Sequence, residues 1–411
     1  VDCPTLPLRV FAGEYPLSSE TFITTQAIGL ARRGWTIEMV TRRRLPETDP
    51  ARPTPFPIRD LGAGWRRIPL VATAISALRL AAVGRFTTLG RTLDPMRHGK
   101  RALKGHLPVL ADAAAVLCPG PSVWLCHYGH NGELLTRLRD SGAVTGPIAT
   151  VFHGFDVAKR LTDPTPPYRL LAARGDLFLP VSALWRETLL RWGFPADRTV
   201  VCPLGIDCGE SPVRTTAAAL RILSVCRLVE KKGVAYALRG IAALEPGLRV
   251  GVRYRIAGDG PLRSQLEALA SELGIAGQVD FLGTVPHSRV PDLLRESDVF
   301  LLPSITAANG DMEGVPISLI EAMASGLPVV STRHSGIPEL ISHGHDGLLV
   351  DERDHEAIAA SLTRLAKDID LRQRLGASAR ATAIERRSLD SCTDRLHALL
   401  SALGRSLIAP A

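Results

Sequence analysis

Short apolar runs separated by helix-length amphipathic stretches recur along the whole chain, and that alternation leaves few folds open. An apolar run bounded by turn formers reads as a strand buried on both faces, and the stretch between runs is the crossover a parallel neighbour requires. The runs fall into two series. The first is Leu8–Ala12, Thr36–Thr41, Val123–His127, Ile148–Phe152 and Leu177–Val181. The second is Leu220–Cys226, Arg253–Ala257, Val279–Phe281, Val299–Pro303, Val329–Ser331 and Gly347–Val350. A helix is expected to start with Ser18 or Ser19 as its cap and to end at Gly34. Residues 42–65, rich in Pro, Gly and Arg, read as a loop, and 66–117 as helices interrupted at Asp94-Pro95. A chain of 411 residues is too long for one core and suits two. The expectation is an α/β protein with two doubly wound, Rossmann-like domains, 1–208 and 209–387, joined at the turn-rich Gly205–Pro212 segment. After Ser388 an amphipathic tail begins, with Leu396, Leu399, Leu400 and Leu403 on one helical side.

Composition removes several classes. Hydrophobic residues make up 45% and charged residues 22%, which excludes disordered and collagen-like chains. Seven cysteines with no CxxC pair read as core residues in a reducing compartment, not as a disulfide framework or zinc site. Val1–Val10 lacks a basic stretch followed by an apolar one, so no secretory signal is expected. No apolar run approaches the roughly 20 residues that span a bilayer; Pro69–Gly84 is broken by Arg79. A cytoplasmic location is the expectation. The formal net charge of +8 is unevenly placed: residues 1–107 carry 17 Lys and Arg against 8 Asp and Glu, while the remainder is nearly balanced.

Two such domains facing one another form a cleft, because doubly wound sheets bind ligands at the carboxyl ends of their strands. The most informative stretch beside that cleft is Glu313-Gly314-Val315-Pro316-Ile317-Ser318-Leu319-Ile320-Glu321. Pro316 fits the first helical position, where its missing N–H costs nothing. Glu313 then lies in the preceding loop, and Glu321 on the second turn, about 7–8 Å beyond Pro316 at 1.5 Å per residue. Backbone N–H groups near Gly314 and Val315 make an anion site between two carboxylates. A ligand with hydroxyls at both ends and a diphosphate between them fits, which describes a sugar nucleotide. One carboxylate before a helix can merely complement its dipole; two of them around a Gly-x-Pro turn call for more. The loop after Leu220–Cys226 adds Arg227 and Lys232, a fork donor and a point charge for a diphosphate. Isolated basic loops are commonly just solvated, but this one lies on the expected ligand face. Lys232, directly before Gly233, is preferred to Lys231.

These elements, with Gly258-Asp259-Gly260-Pro261-Leu262, Phe281-Leu282-Gly283, Ser297–Ser304 and Ser335-Gly336-Ile337-Pro338-Glu339, resemble the retaining GT4-type glycosyltransferases of the GT-B fold. Glu14–Ile23, His127-Tyr128-Gly129-His130-Asn131-Gly132 and His153-Gly154-Phe155-Asp156-Val157 are similar to the branch of colanic-acid and exopolysaccharide glycosyltransferases. The likeness covers most of residues 8–385 and is weakest over 42–117. It implies a nucleotide-diphosphate sugar donor, with UDP favoured, bound to the second domain, and an acceptor on the first. It also implies that helix 388–411 packs back on the first domain. Arg227 and Lys232 would bind the diphosphate and stabilise the departing nucleotide, so that no metal or other cofactor is expected. Glu313 would hold sugar hydroxyls and Glu321 the ribose, with Gly258, Val285, Gly314 and Val315 lining the donor site. A turn around Gly13 would approach the phosphates, and His153 would sit near the transferred sugar. In such families the usual proposal is same-face displacement, the leaving phosphate taking the acceptor proton.

A histidine after a strand is often structural, but His153 heads a loop on the cleft face and matches the family motif. His127 and His130 fit acceptor contacts or loop structure equally, and Asn131 and Asp156 are placed beside them on the acceptor side. Asp259 and Glu339 read as loop-ordering groups, Asp298 as a cap, and Glu20 as a favourable charge at a helix start. The basic first quarter, with a pI near 9.4, could suggest nucleic acid, but no basic–aromatic interleaving supports that. A basic acceptor domain suits an anionic membrane face or a lipid-diphosphate acceptor, by about 1 kcal/mol per nearby cation; the plain alternative is a solvated surface. The leading function is sugar transfer in polysaccharide, lipid-linked glycan or natural-product synthesis. An epimerase would interconvert donors without acceptor, a phosphorylase would need pyridoxal phosphate, and a non-catalytic binding subunit would bind donor without turnover. Neither the sugar, the nucleotide nor the acceptor is written in these motifs.

Overall fold

The computed structural model describes residues 6–17, 20–46, 54–61, 77–78, 80–82, 84–93, 120–209 and 219–405. Two parallel six-stranded sheets organise them. The first contains β1 (Leu8–Tyr15), β2 (Ile37–Arg44), β3 (Ile58–Asp60), β4 (Val123–His127), β5 (Ile148–Phe152) and β6 (Leu177–Pro180), in the order 3-2-1-4-5-6. The second contains β7 (Leu220–Val225), β8 (Val252–Ala257), β9 (Val279–Gly283), β10 (Val299–Leu302), β11 (Val329–Thr332) and β12 (Leu348–Val350), in the order 12-11-10-7-8-9. Every strand pairing is parallel.

The continuous apolar runs exist because both faces of each sheet are covered. Val123 and Leu125 pack into one core cluster and Trp124 and Cys126 into the opposite one. In the second sheet Val299 and Leu301 face one cluster while Phe300 and Leu302 face the other. The five cysteines among the described residues are all unpaired. No helix of the described residues is long and apolar enough to cross a membrane.

Several boundaries differ from the sequence expectation. β2 runs on to Arg44 and β1 to Tyr15, pairing Glu14 with Arg43 and Tyr15 with Arg44, so the turn expected at Gly13 is instead strand. Loop 42–65 contains β3, a three-residue edge strand without an apolar run, registered on Met39–Thr41 and tied by Arg59 to Glu38 at 2.8 Å. The first helix begins at Thr21, with Glu20 at the cap position and no side-chain cap bond, and it ends at Ala31. Within 66–117 the structure describes a helix over Phe86–Leu93, and the Asp94-Pro95 interruption lies outside the described residues.

The chain leaves the first sheet through Ile206 and returns through Ser388, and the two crossings bridge each other in parallel. The Ile206 N–H donates to the Arg387 carbonyl at 2.9 Å, and the Leu389 N–H to the Ile206 carbonyl at 2.7 Å. The final helix, Leu389–Arg405, packs Leu396 and Leu400 into the core of the first domain. Arg33 pairs with Asp394 at 2.6 Å and the Trp35 indole donates to His397 at 3.0 Å, fixing its position.

Candidate active site

Strand order reverses between β1 and β4 in the first sheet and between β7 and β10 in the second. Loops diverge at such points and open a crevice at the carboxyl ends of the strands. The loops after β4, β5, β7 and β10 carry most of the residues singled out by chemistry.

After β10 the chain runs to Pro316, whose ψ of 123° is extended, so Pro316 caps the helix and Ile317 begins it, one residue later than the sequence suggested. Glu313 is buried in this loop. Its carboxylate meets the Lys232 ammonium at 2.9 Å and the Lys231 ammonium at 3.8 Å. Burial would raise the Glu313 carboxyl, but the two lysines outweigh it and hold the group below the ordinary carboxylate range. Lys231, the residue sequence reasoning set aside, also pairs with Asp311 at 3.2 Å. The Glu313 backbone is held as well. Its N–H donates to His334 Nε2 at 3.1 Å, and its carbonyl accepts from the Ser335 hydroxyl at 2.6 Å. His334, fully buried, lies 2.6 Å from Glu352 through Nδ1, and Glu352 accepts from the Thr306 N–H at 2.9 Å. Sequence reasoning missed His334 and Glu352; the one signal was their position after β11 and β12 on the ligand face.

Glu321 sits on the second turn of the Ile317–Ala324 helix and lies 2.8 Å from His287 Nε2. His287 follows Val285 in the loop after β9, and half-buried Val285 packs on the second-domain core. Arg227 is exposed just after β7, and Lys232 ends a short turn closed by Gly233 at φ 66°. Gly258 has φ 138°, and a Cβ there would lie 1.8 Å from the Cys226 carbonyl, so only glycine lets the β8 loop lie against the β7 loop.

The two domains touch at this site. A Cβ on Gly314 would lie 2.2 Å from the His153 carbonyl, and one on Gly154 would lie 2.7 Å from the Gly314 nitrogen. Val315 is half-buried beside this contact and packs toward Gly336. Glu339 accepts from the Ala183 and Leu184 N–H groups at 2.7 and 2.9 Å, so it binds the start of the first-domain helix Ala183–Arg191 and does more than order its own loop. Asp298 forms a two-pronged pair with Arg221 at 2.8 and 2.9 Å.

On the first-domain side, His153 is half-buried after β5 and its Nε2 lies 3.0 Å from His127 Nδ1. The Phe22 ring lies 4.8 Å and the Tyr128 ring 4.7 Å from His153 between centroids. Three of the four residues placed on the acceptor side prove to be buried. His127 has no exposed surface and supports His153. Asn131 donates to the His127 carbonyl at 2.9 Å and packs under Gly13, where a Cβ would lie 3.4 Å from its amide. Asp156 accepts N–H bonds from Gly129, His153 and Gly154 at 2.7, 3.0 and 3.2 Å, clamping two loops together. Closing two loops on themselves takes buried polar partners, and these three supply them. His130 alone is exposed, stacked on Tyr128 at 5.8 Å. Glu20, read as a helix-start charge, accepts instead from the Tyr128 hydroxyl at 2.8 Å; burial raises its carboxyl pKa against that bond. No group of three or more His, Cys, Asp or Glu among the described residues is arranged to hold a metal ion.

Residues 217–382 match the family described as glycosyl transferases group 1. The WcaL protein of Escherichia coli K12, named for colanic acid biosynthesis, is 36% identical over 379 residues, covering 87% of this chain and 90% of WcaL. The amylovoran biosynthesis glycosyltransferase AmsK of Erwinia amylovora is 36% identical over 384 residues, covering 88% of this chain and 91% of its own length. Among solved structures, Anabaena HepE with UDP and glucose superposes with a TM-score of 0.71 over 97% of this chain and 100% of its own, at 16% identity. The lipopolysaccharide glycosyltransferase WaaG superposes with a TM-score of 0.66 over 96% of this chain and 99% of its own, also at 16% identity. At that identity the two structures establish the GT-B architecture.

Proposed function

The chain belongs to the group 1 glycosyltransferases, and from that membership we propose that it moves a sugar from a nucleotide-diphosphate donor to an acceptor hydroxyl with retention at the anomeric carbon. A UDP-sugar is the favoured donor and a polysaccharide or lipid-linked glycan the favoured acceptor; the polysaccharide is in keeping with the colanic acid and amylovoran biosynthesis for which WcaL and AmsK are named. The observation that carries this reading is the buried Glu313 held by Lys232 and Lys231 where its loop meets His153–Gly154 of the other domain. A carboxylate for sugar hydroxyls and cations for a diphosphate then converge on the interdomain crevice. An ammonium has three donors, so Lys232 can hold Glu313 and a phosphate oxygen together.

In the proposed reaction the bond between the anomeric carbon and the β-phosphate oxygen breaks, and a bond to the acceptor oxygen forms on the same face. The acceptor proton passes to the departing phosphate. Arg227 and Lys232 stabilise the charge that develops there, which is where preorganised cations act most strongly. Glu321, oriented by His287, holds the ribose hydroxyls. No metal is required in this scheme.

Release of nucleoside diphosphate from a panel of UDP- and GDP-sugars tests the reading. Lys232→Ala and Glu313→Gln should each lower turnover by about 100- to 1,000-fold, the cost typical of removing one preorganised charge-stabilising group. Near-wild-type turnover in either folded variant refutes the assignment. Chelator should leave the rate unchanged. Binding to anionic vesicles at low salt tests the membrane role of the basic first quarter, and indifference to the vesicles removes that role while leaving transfer intact.

A further inference from the structure

The contact between His127 and His153 determines more than the position of a ring. His127 ends β4 inside the first domain, and its Nδ1 lies 3.0 Å from His153 Nε2. The other His127 nitrogen, Nε2, is buried and has no hydrogen-bond partner among the described residues. Burial keeps both rings neutral: His127 falls to about 3 and His153 well below its ordinary value. A neutral pair can share one hydrogen bond in two ways. If His153 donated from Nε2, His127 would accept at Nδ1 and carry its own proton on Nε2, leaving a buried N–H without an acceptor. If His127 donates from Nδ1, its Nε2 is a bare lone pair, and orphaned acceptors are better tolerated than orphaned donors. The second arrangement obliges His153 to carry its proton on Nδ1, the nitrogen not engaged with His127.

We propose that His127 is a positioning residue that locks His153 in its Nδ1–H tautomer, so that His153 serves as a hydrogen-bond donor to an oxygen of the bound sugar and not as a base. The rest of the geometry leaves His153 little else to do. Its backbone N–H donates to Asp156 at 3.0 Å, and its backbone carbonyl abuts Gly314. The Phe22 and Tyr128 rings pack against the His153 imidazole, and the His127 ring is fully buried at the end of its strand, whose last carbonyl accepts from Asn131 at 2.9 Å. The proposal rests on the reading that His153 faces the transferred sugar.

Two measurements on the full chain test it. In long-range 15N–1H spectra both histidines should show a protonated Nδ1 and a bare Nε2; a protonated Nε2 on His153 overturns the proposal. In nucleoside diphosphate release, His127→Leu should lower kcat by about 10- to 100-fold with little change in donor KM, as losing an orienting partner does elsewhere. His127→Asn, whose amide can offer an N–H near the same place, should restore most of that loss. His127→Leu added to His153→Ala should cost nothing further. Wild-type kcat in folded His127→Leu, with His153→Ala still impaired, refutes the positioning role. Wild-type kcat in His153→Ala refutes the underlying placement of His153 at the sugar, whatever the tautomer.

Discussion

At the scale of single residues, burial and charged partners together set the charge states at the site. Glu313 stays ionised because two ammonium groups outweigh its desolvation, and His127 stays neutral because nothing does. Both shifts act in one direction. The folded His127 refuses a proton that the unfolded chain takes up below pH 6.5, and this continues down to about 3. Stability should therefore be complete above 6.5 and decline on acidification, by up to about 1.4 kcal/mol per pH unit from His127. The Glu313 contribution is complete above 4.5 and is lost as pH falls through its lower folded value. Urea unfolding from neutral to acid pH checks this, and His127→Asn should show the shallower acid slope. His334 offers a second test. It accepts the Glu313 N–H, so His334→Leu strands that buried donor, while half-buried Glu352 keeps Thr306 and Arg353. That should cost about 1–3 kcal/mol and raise donor KM. A folded variant with unchanged stability and KM would show that the Glu313 loop holds itself.

At the scale of elements, the domains are joined by small contacts at the site, since Gly154 and Gly314 touch and Glu339 caps a helix of the opposite domain. A carboxylate on two free N–H groups at a helix start is worth about 0.5–2 kcal/mol, enough to bias closure without preventing opening. Glu339→Ala should enlarge the radius of gyration seen by small-angle scattering without donor, with unchanged circular dichroism. An unchanged radius would mean that the glycine contact alone keeps the domains together. The short loops behave differently from this contact: Gly258 and Gly233 have positive φ, and each lets one ligand loop lie against its neighbour. A sequence shows such glycines, but not which carbonyl each one faces.

For the molecule as a whole, the return of the chain at Ser388 couples the domains covalently and by packing. Leu400 belongs to the last helix yet is completely buried in the first core. Leu400→Ala should cost about 2–5 kcal/mol, and differential scanning calorimetry should show the first domain destabilised by a residue that follows the second. Loss confined to the second domain would contradict the packing. Glu38, shared by Arg9 and Arg59, already counts among the eight acids of the first quarter, but Arg33 pairs with Asp390 and Asp394 of the last helix, outside that quarter. The surplus offered to a partner is smaller than the composition suggests.

Strand order along the chain, two cores and the placement of Glu313, Glu321, Arg227 and Lys232 beyond the strand ends were all legible in one dimension. Apolar runs, turn formers and charges at strand ends are local signals, set by the period of the backbone and by what each residue can bury. The edge strand β3 was not legible, because three mixed residues gain strand geometry only from the neighbour they pair with. Nor was the division of labour among His127, Asn131, Asp156 and His153, since one motif can face the cleft or the core, and the burial that decides it comes from residues distant in sequence. Partners 18 to 26 positions apart, His334 with Glu352 and His127 with His153, became visible only when parallel strands brought their carboxyl ends together. Local chemistry names the candidates, and long-range packing decides which are buried and which partners they meet.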